Sequence, residues 1–391
     1  MAPPRSRLGR VLAVVGIVLV ALNLRAAVSA LPPIYQQIGE SFTLTTTAIG
    51  VLGMLPTLSF AVFGALAPRF VHRTGIEQAL LLAMGLVCAG ELARALVSDV
   101  WLFGLLSVVC LGGMGMGNVL LPPAIKHYFP QRIGTLTSVY TALTAVSASM
   151  PSLVAVPVTE AAGWRVSVGM WSLLALVAAL PWVALVRDHH KPAKAIPEVR
   201  HAAWRWPTTW AVTLVFAVGA LNTFAMMNWL PTVLTSSAGV AQATAATMLS
   251  MYNLVGIPHS LLVPNILART RHPYYVIVFA SACLLVGYLG LVFYPAFAWG
   301  WIVPAGLGLM CIPIGLTLIN LRSRTEDGTT ALSGFVQGVG YLLAAPGPLV
   351  VAQLHARTGE WTVAFGFLMA TALVAAIAGA VAVRPRFIED A

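Results

Sequence analysis

The chain has 391 residues, 59% of them hydrophobic and only 9% charged, with a formal net charge of +10 and a mean hydropathy of +0.88. Soluble domains carry roughly 25% charged residues, and a soluble core has no room for so much apolar surface, so the composition excludes a water-soluble globular protein and leaves the bilayer as solvent. Nucleic acid is excluded as a partner by where the basic residues fall, at the ends of apolar stretches.

A helix needs about 20 residues to cross about 30 Å of hydrocarbon. Twelve stretches qualify, and helices are favoured over barrel strands, which would be shorter and alternating. The first predicted span, 11–34, carries Arg25, the one charge near the middle of any span. An arginine there costs at least ~2.5–3.5 kcal/mol on insertion scales. Arg25 therefore either faces a cavity, snorkels outward, or pairs with a buried carboxylate. On a continuous helix Arg25 and Ser29 share a face, while Asn23 lies about 200° away and reads as a packing residue.

Spans follow at 44–67 and 76–97. The latter carries Glu91 near its end, placed for Arg94 three residues on. Span 4, 101–125, sets Asn118, Pro122 and Lys126 on one stripe, and its Gly112, Gly113, Gly115 and Gly117 permit close helix approach. Span 5, 133–158, has Tyr140 and Thr144 at i,i+4; span 6 is 166–186. The polar segment 188–206, rich in Pro, His and Lys, reads as a tether.

The second series is 208–232, 242–267, 274–294, 298–321, 331–354 and 362–383. Span 7 carries Phe224 and Asn228, with Met226, Met227 and Trp229 read as packing. Span 8 holds His259, one residue after Pro258, which either carries protons near neutral pH or bonds a carbonyl freed by the proline. Span 11 holds Gln337 and Tyr341 at i,i+4; these and Tyr140/Thr144 either line a cavity or satisfy one another.

With the N-terminus placed in the cytoplasm, eighteen of the 22 Lys and Arg residues fall inside, while Arg94, Arg165 and Arg357 fall outside. That asymmetry predicts a multi-pass inner-membrane protein with both termini cytoplasmic. Trp101, Trp164, Trp299, Trp301 and Trp361 sit near span ends, where indoles prefer the headgroup zone. The first segment is too long for a signal-peptide core and is expected to be retained.

The two halves repeat at an offset of 196 to 199 residues. Ala21-Leu22-Asn23 with Leu31-Pro32 recurs as Ala220-Leu221-Asn222 with Leu230-Pro231, and Leu111-Gly112 with Met114 and Lys126 recurs as Leu307-Gly308 with Met310 and Arg322. Each half has an even number of spans, so the copies share one orientation, with a site expected at the interface of the halves. Arg25 and Ser29 map onto Phe224 and Asn228, a guanidinium and hydroxyl against an aromatic face and an amide. That pairing suits a small planar anionic or electron-rich solute. The expected organisation is an N-terminal bundle at 1–187, a cytoplasmic linker at 188–206 and a C-terminal bundle at 207–391.

The Asn23-Leu24-Arg25 run resembles the Asn-(Leu/Met)-Arg signature of the cyanate permease and 2-nitroimidazole transporter (CynX/NimT) family of the major facilitators. Arg94, Pro122 with Ile125-Lys126, Trp229-Leu230-Pro231, and Phe335 with Gln337-Gly338 and Gly340 carry the same likeness across nearly the whole chain. The resemblance implies an all-α membrane protein of the major facilitator fold, with twelve transmembrane helices in two pseudo-symmetric six-helix bundles. It implies alternating-access transport of small planar solutes such as cyanate or nitro-heterocycles, and it marks Arg25 and Gln337 as site residues. Two departures stand out: Ala26 where the family usually has proline, and Pro68 where facilitators commonly have Asp.

The expected partners are a small-molecule solute and the lipid bilayer, with the carrier working as a monomer. Substrate binding is assigned to Arg25, Ser29, Asn118, Tyr140, Phe224, Asn228, Gln337 and Tyr341, and proton coupling to His259. The rival reading is a proton-coupled drug efflux antiporter, which ordinarily carries a central membrane carboxylate. An enzyme is not expected, since the chain has no HExxH, no CxxC and no Gly-rich phosphate loop. No metal or cofactor is expected either, and the four cysteines all fall within spans.

Overall fold

A computed structural model describes residues 7–188 and 205–388, so the segment read as a tether lies, apart from its end residues, outside the described residues. All regular secondary structure among the described residues is helical. The chain divides into two compact units, Met1–Leu44 with Val62–Ile196 and Thr45–Ala61 with Pro197–Ala391. The division falls inside one helix rather than at the tether alone.

The first unit contains α1 (Arg7–Asn23), α2 (Ala26–Ser29), α3 (Tyr35–Gly39), the second part of α4 (Thr46–Thr74), α5 (Ile76–Leu96), α6 (Val100–Tyr128), α7 (Ile133–Ala162), α8 (Trp164–Gly169) and α9 (Trp171–Asp188). The second contains the first part of α4, then α10 (Pro207–Ser237), α11 (Gln242–Leu254), α12 (Gly256–Arg269), α13 (Tyr274–Phe293), α14 (Ala298–Leu307), α15 (Cys311–Leu321), α16 (Glu326–Ala344), α17 (Gly347–Thr358) and α18 (Trp361–Ala382).

Among the described residues, eleven helical runs are long and apolar enough to cross a membrane, and each coincides with a predicted span. The exception is 242–267, which forms α11 and α12 with a turn at Val255. Gln242, Thr244, Thr247, Ser250, Asn253, His259, Ser260 and Asn265 dilute its apolar character. Such polarity and a broken ladder are tolerated in a membrane where the segment is covered by other helices. Here α11 packs on α14, and α12 on α15.

Within the first unit, α5 lies against α6 and α9, and α1 against α9, α7 and α6. Lipid offers no hydrophobic drive between helices, so close backbone approach through small residues does much of the joining. Gly113 of α6 shows this: a methyl there would collide with the Ala83 carbonyl of α5 and come 2.9 Å from the Val87 side chain. In the second unit α10 is the buried centre, packed by α15, α16, α17 and α18. Asp99 caps α6, its carboxylate accepting from the Trp101 and Leu102 N–H groups at 3.0 and 2.8 Å.

Candidate functional site

The first span is not one helix. α1 ends at Asn23, Leu24 and Arg25 form a turn, α2 spans a single turn, and a 3-10 turn Pro32–Ile34 leads into α3. The second interruption has a local cause. Pro32 and Pro33 lack the N–H groups that would bond the carbonyls of Val28 and Ser29. The first does not, since neither Gly nor Pro stands at 24 or 25.

What holds the first break is tertiary. The Arg25 N–H, which in a continuous helix would reach Ala21 O, donates instead to Ser147 Oγ of α7 at 3.0 Å. Arg25 has φ −133° and ψ −8°, outside helical geometry. Its Nη1 donates to Leu24 O at 3.1 Å, and its own carbonyl accepts from the Val28 and Ser29 N–H groups, both at 3.1 Å. Gly117 of α6 makes room for the turn: a methyl there would stand 2.9 Å from Leu24 Cδ2. Irregular backbone at membrane depth persists where protein buries it or where it lines a cavity, and discontinuous helices mark solute sites in many carriers.

The other predicted residues of the first unit fall as follows. Ser29 is fully buried, and its N–H and hydroxyl both donate to Arg25 O, at 3.1 and 3.2 Å. Asn118 is half-buried, with Nδ2 donating to Met114 O at 3.1 Å. Tyr140 is half-buried on α7, and Thr144 turns its hydroxyl back to the Tyr140 carbonyl at 2.9 Å.

The second unit brings predicted residues together through aromatic rings. Phe224 of α10 and Tyr341 of α16 pack edge-on about Phe60 of α4, with centroids 5.9 and 5.7 Å from it, and Phe216 meets Tyr341 at 5.1 Å. Phe60 and Phe216 are members that sequence reading missed; only their aromatic character pointed to them. Asn228 is buried and donates to Ile49 O at 3.3 Å. Gly53 lets this happen, since a methyl there would lie 2.5 Å from Asn228 Cγ. Gln337 is half-buried and donates to Ser333 Oγ at 2.8 Å, within its own helix.

Three further polar groups lie deep. His259 is buried on α12; neither ring nitrogen makes a well-formed hydrogen bond among the described residues, and the Gly306 backbone is its polar neighbour. Glu91 and Arg94 are both fully buried. The i,i+3 pairing expected of them is not formed as a hydrogen bond. Arg94 Nη2 donates to Ala27 O of α2 at 3.2 Å, and neither Glu91 oxygen has a hydrogen-bond partner among the described residues. Asn23, read as a packing residue, is fully buried and donates to Leu19 O at 2.8 Å.

Comparison with known proteins matches this architecture. The sequence model of the Major Facilitator Superfamily covers residues 13–345. The chain is 33% identical to the 2-nitroimidazole transporter of Escherichia coli, over 97% of each chain. It is 25% identical to the cyanate transport protein CynX of the same bacterium, over 90% of this chain and 92% of that one. Among solved structures, a mutant form of the nucleoside transporter NupG superposes with a TM-score of 0.76 at 10% identity, covering 95% of this chain and all of that one, a likeness of fold alone.

Proposed function

The chain belongs to the major facilitator superfamily and, within it, to the family of the 2-nitroimidazole and cyanate transporters, and on that premise we propose that it moves a small planar anionic or electron-rich solute, cyanate-like, nitrate-like or a nitro-heterocycle, across the inner membrane by alternating access. It is a multi-pass membrane transport protein and not an enzyme. The observation that carries the substrate reading is the interrupted first span, with Arg25 at the break. A guanidinium is always charged and offers a planar fork of donors, which suits a planar acceptor better than a lysine point charge does.

The solute-facing residues are proposed unit by unit. In the first unit, Arg25 supplies charge and fork, Ser29 and Ser147 hold the turn that presents it, and Asn118 and Tyr140 offer half-buried polar groups. In the second, Phe224 and Tyr341 supply ring faces and edges, with Asn228 and Gln337 as amide donors. Names of relatives support the solute class: 2-nitroimidazole and cyanate are both small solutes with electron-rich heteroatoms.

The asymmetry of the basic residues supports an orientation with both termini in the cytoplasm, by the positive-inside rule. In that orientation a monoanion entering the cell works against about 2.3 kcal/mol per 100 mV, so uptake needs either consumption of the solute or a coupled proton. The test is a thermal-shift panel of cyanate, nitrite, nitrate and 2-nitroimidazole on the purified carrier, repeated on Arg25→Ala. A stabilising solute whose effect disappears in the variant supports the reading. Stabilisation by none of them, or equal stabilisation of both proteins, overturns it.

A further inference from the structure

The repeat makes one buried group conspicuous. Six buried positions of α5, Leu80, Ala83, Val87, Gly90, Glu91 and Arg94, recur on α13 at an offset of 197 as Ile277, Ala280, Leu284, Gly287, Tyr288 and Leu291, again all buried. The register holds in packing as well. A methyl on Gly90 would stand 2.5 Å from the backbone N of Cys110, and one on Gly287 would stand 2.5 Å from that of Ala305. Glu91 is thus the counterpart of Tyr288. Asn23 is likewise the counterpart of Asn222: both are fully buried, and both donate to the carbonyl four residues back, Leu19 and Val218.

In the second unit this pair is complete, because the Tyr288 hydroxyl donates to Asn222 Oδ1 at 2.9 Å. In the first unit it is not. Asn23 Oδ1, both oxygens of Glu91, and Nε and Nη1 of Arg94 are all buried without a hydrogen-bond partner among the described residues. Buried polar atoms left unpaired are costly, and a buried carboxylate with no hydrogen bond costs more than a carboxylic acid. An acid hydroxyl is also the group that Asn23 Oδ1 lacks, a donor matching that of Tyr288.

We propose that Glu91 is the proton site of this carrier: protonated, its hydroxyl serves Asn23 at the end of α1; deprotonated, it draws Arg94 away from Ala27. The reading rests on the transport function above. The proton leaves as H⁺ from the carboxylic acid, and no other bond changes. Its consequence runs through α2. Arg94 Nη2 holds the Ala27 carbonyl at 3.2 Å, two residues beyond the Arg25 turn. Ionisation of Glu91 one turn away on α5 gives the guanidinium a stronger, charge-assisted partner. The strap between α5 and α2 then loosens, and the segment carrying Arg25 is released to shift. Loading and release of a solute at Arg25 become tied to loading and release of a proton at Glu91.

The other titratable groups around it are few. Cys88 and Arg94 share its helix, as does Glu77 at the opposite end, whose carboxylate accepts from the Tyr128 hydroxyl of α6 at 2.6 Å; Cys110 faces Glu91 from α6, and Tyr35 of α3 lies near Arg94. α8 brings Arg165, whose Nη2 donates to Ser98 Oγ at 2.7 Å.

Two readouts on the full-length carrier in proteoliposomes test this. The first needs no solute: infrared difference spectra over a pH jump are expected to show the C=O stretch of a buried carboxylic acid in the wild type, lost in Glu91→Gln. Its absence from the wild type, or its persistence in the variant, overturns the proposal. The second uses labelled 2-nitroimidazole and cyanate and reads the ratio of uptake with a pH gradient to uptake without one. The ratio is expected to exceed one in the wild type, fall to one in Glu91→Gln, and stay at the wild-type value in Tyr288→Phe. A wild-type ratio of one, or an unchanged ratio in Glu91→Gln, overturns it, the latter moving coupling to His259. If neither probe enters, the transport reading falls while the infrared result still decides the state of Glu91.

Discussion

The two units are copies that differ where it matters. In the second, α10 runs unbroken from Pro207 to Ser237, and Asn222 is satisfied on both sides, by Val218, Thr371 and Tyr288. In the first, the equivalent span breaks at Leu24–Arg25, and among the described residues Asn23 Oδ1, the Glu91 carboxyl oxygens and two Arg94 nitrogens are buried without a hydrogen-bond partner. Stability favours satisfied groups; a carrier needs groups that can change partner. The repeat assigns the first role to one copy and the second role to the other.

The comparison is broken most readily at Arg25. Arg25→Ala is expected to slow solute counterflow about 100-fold, since hydrogen bonds to a charged group contribute about 1.5–3 kcal/mol. Labelled-solute exchange in proteoliposomes checks it. The matching position in the other copy is Phe224, and a guanidinium is not replaced there.

Close packing gives the next effect. Gly113 of α6 faces the Ala83 carbonyl and Val87, whereas Gly308, the repeat counterpart of the neighbouring Gly112, faces the flexible Leu284 side chain of α13. Overpacking costs about 1–3 kcal/mol, and Gly113→Val is expected at the upper end with Gly308→Val below it. Thermal unfolding in detergent ranks them; equal losses would mean the units pack alike after all.

Tyr288→Phe is smaller, about 1 kcal/mol of stability for the lost hydrogen bond, with the pH profile of transport unchanged. A shifted pH profile would remove the contrast with Glu91. Smallest is Asp99→Ala. Asp99 caps α6, while Phe297 at the start of α14 provides no side-chain cap, so the variant makes the first copy resemble the second at about 0.5–1 kcal/mol.

Much of this was legible in the sequence, because span length, charge asymmetry and repeat offset are each properties of composition along one dimension. Eleven of the twelve stretches stand as apolar helical runs. The break at Arg25 was not legible. Its cause is a hydroxyl 122 residues away, Ser147, taking the N–H that a helix would have used. The rung from Arg25 to Ser29 is kept, since the Ser29 N–H reaches Arg25 O at 3.1 Å, so the ladder is lost only on the side of Arg25 that faces α1. Glu91 and Arg94 were read as an i,i+3 pair, yet Arg94 is claimed by a carbonyl that the interrupted span exposes. Phe224 was named from repeat mapping and Tyr341 from its i,i+4 spacing to Gln337, and both pack on Phe60, which no spacing rule selected.

The central claim is that a planar guanidinium at a helix break recognises the solute. Counterflow of labelled cyanate and 2-nitroimidazole by Arg25→Lys measures it most directly, because lysine keeps the charge and loses the fork. We expect exchange to fall at least ~10-fold, as the loss of one charge-assisted hydrogen bond requires. Exchange at the wild-type rate and affinity would contradict the account.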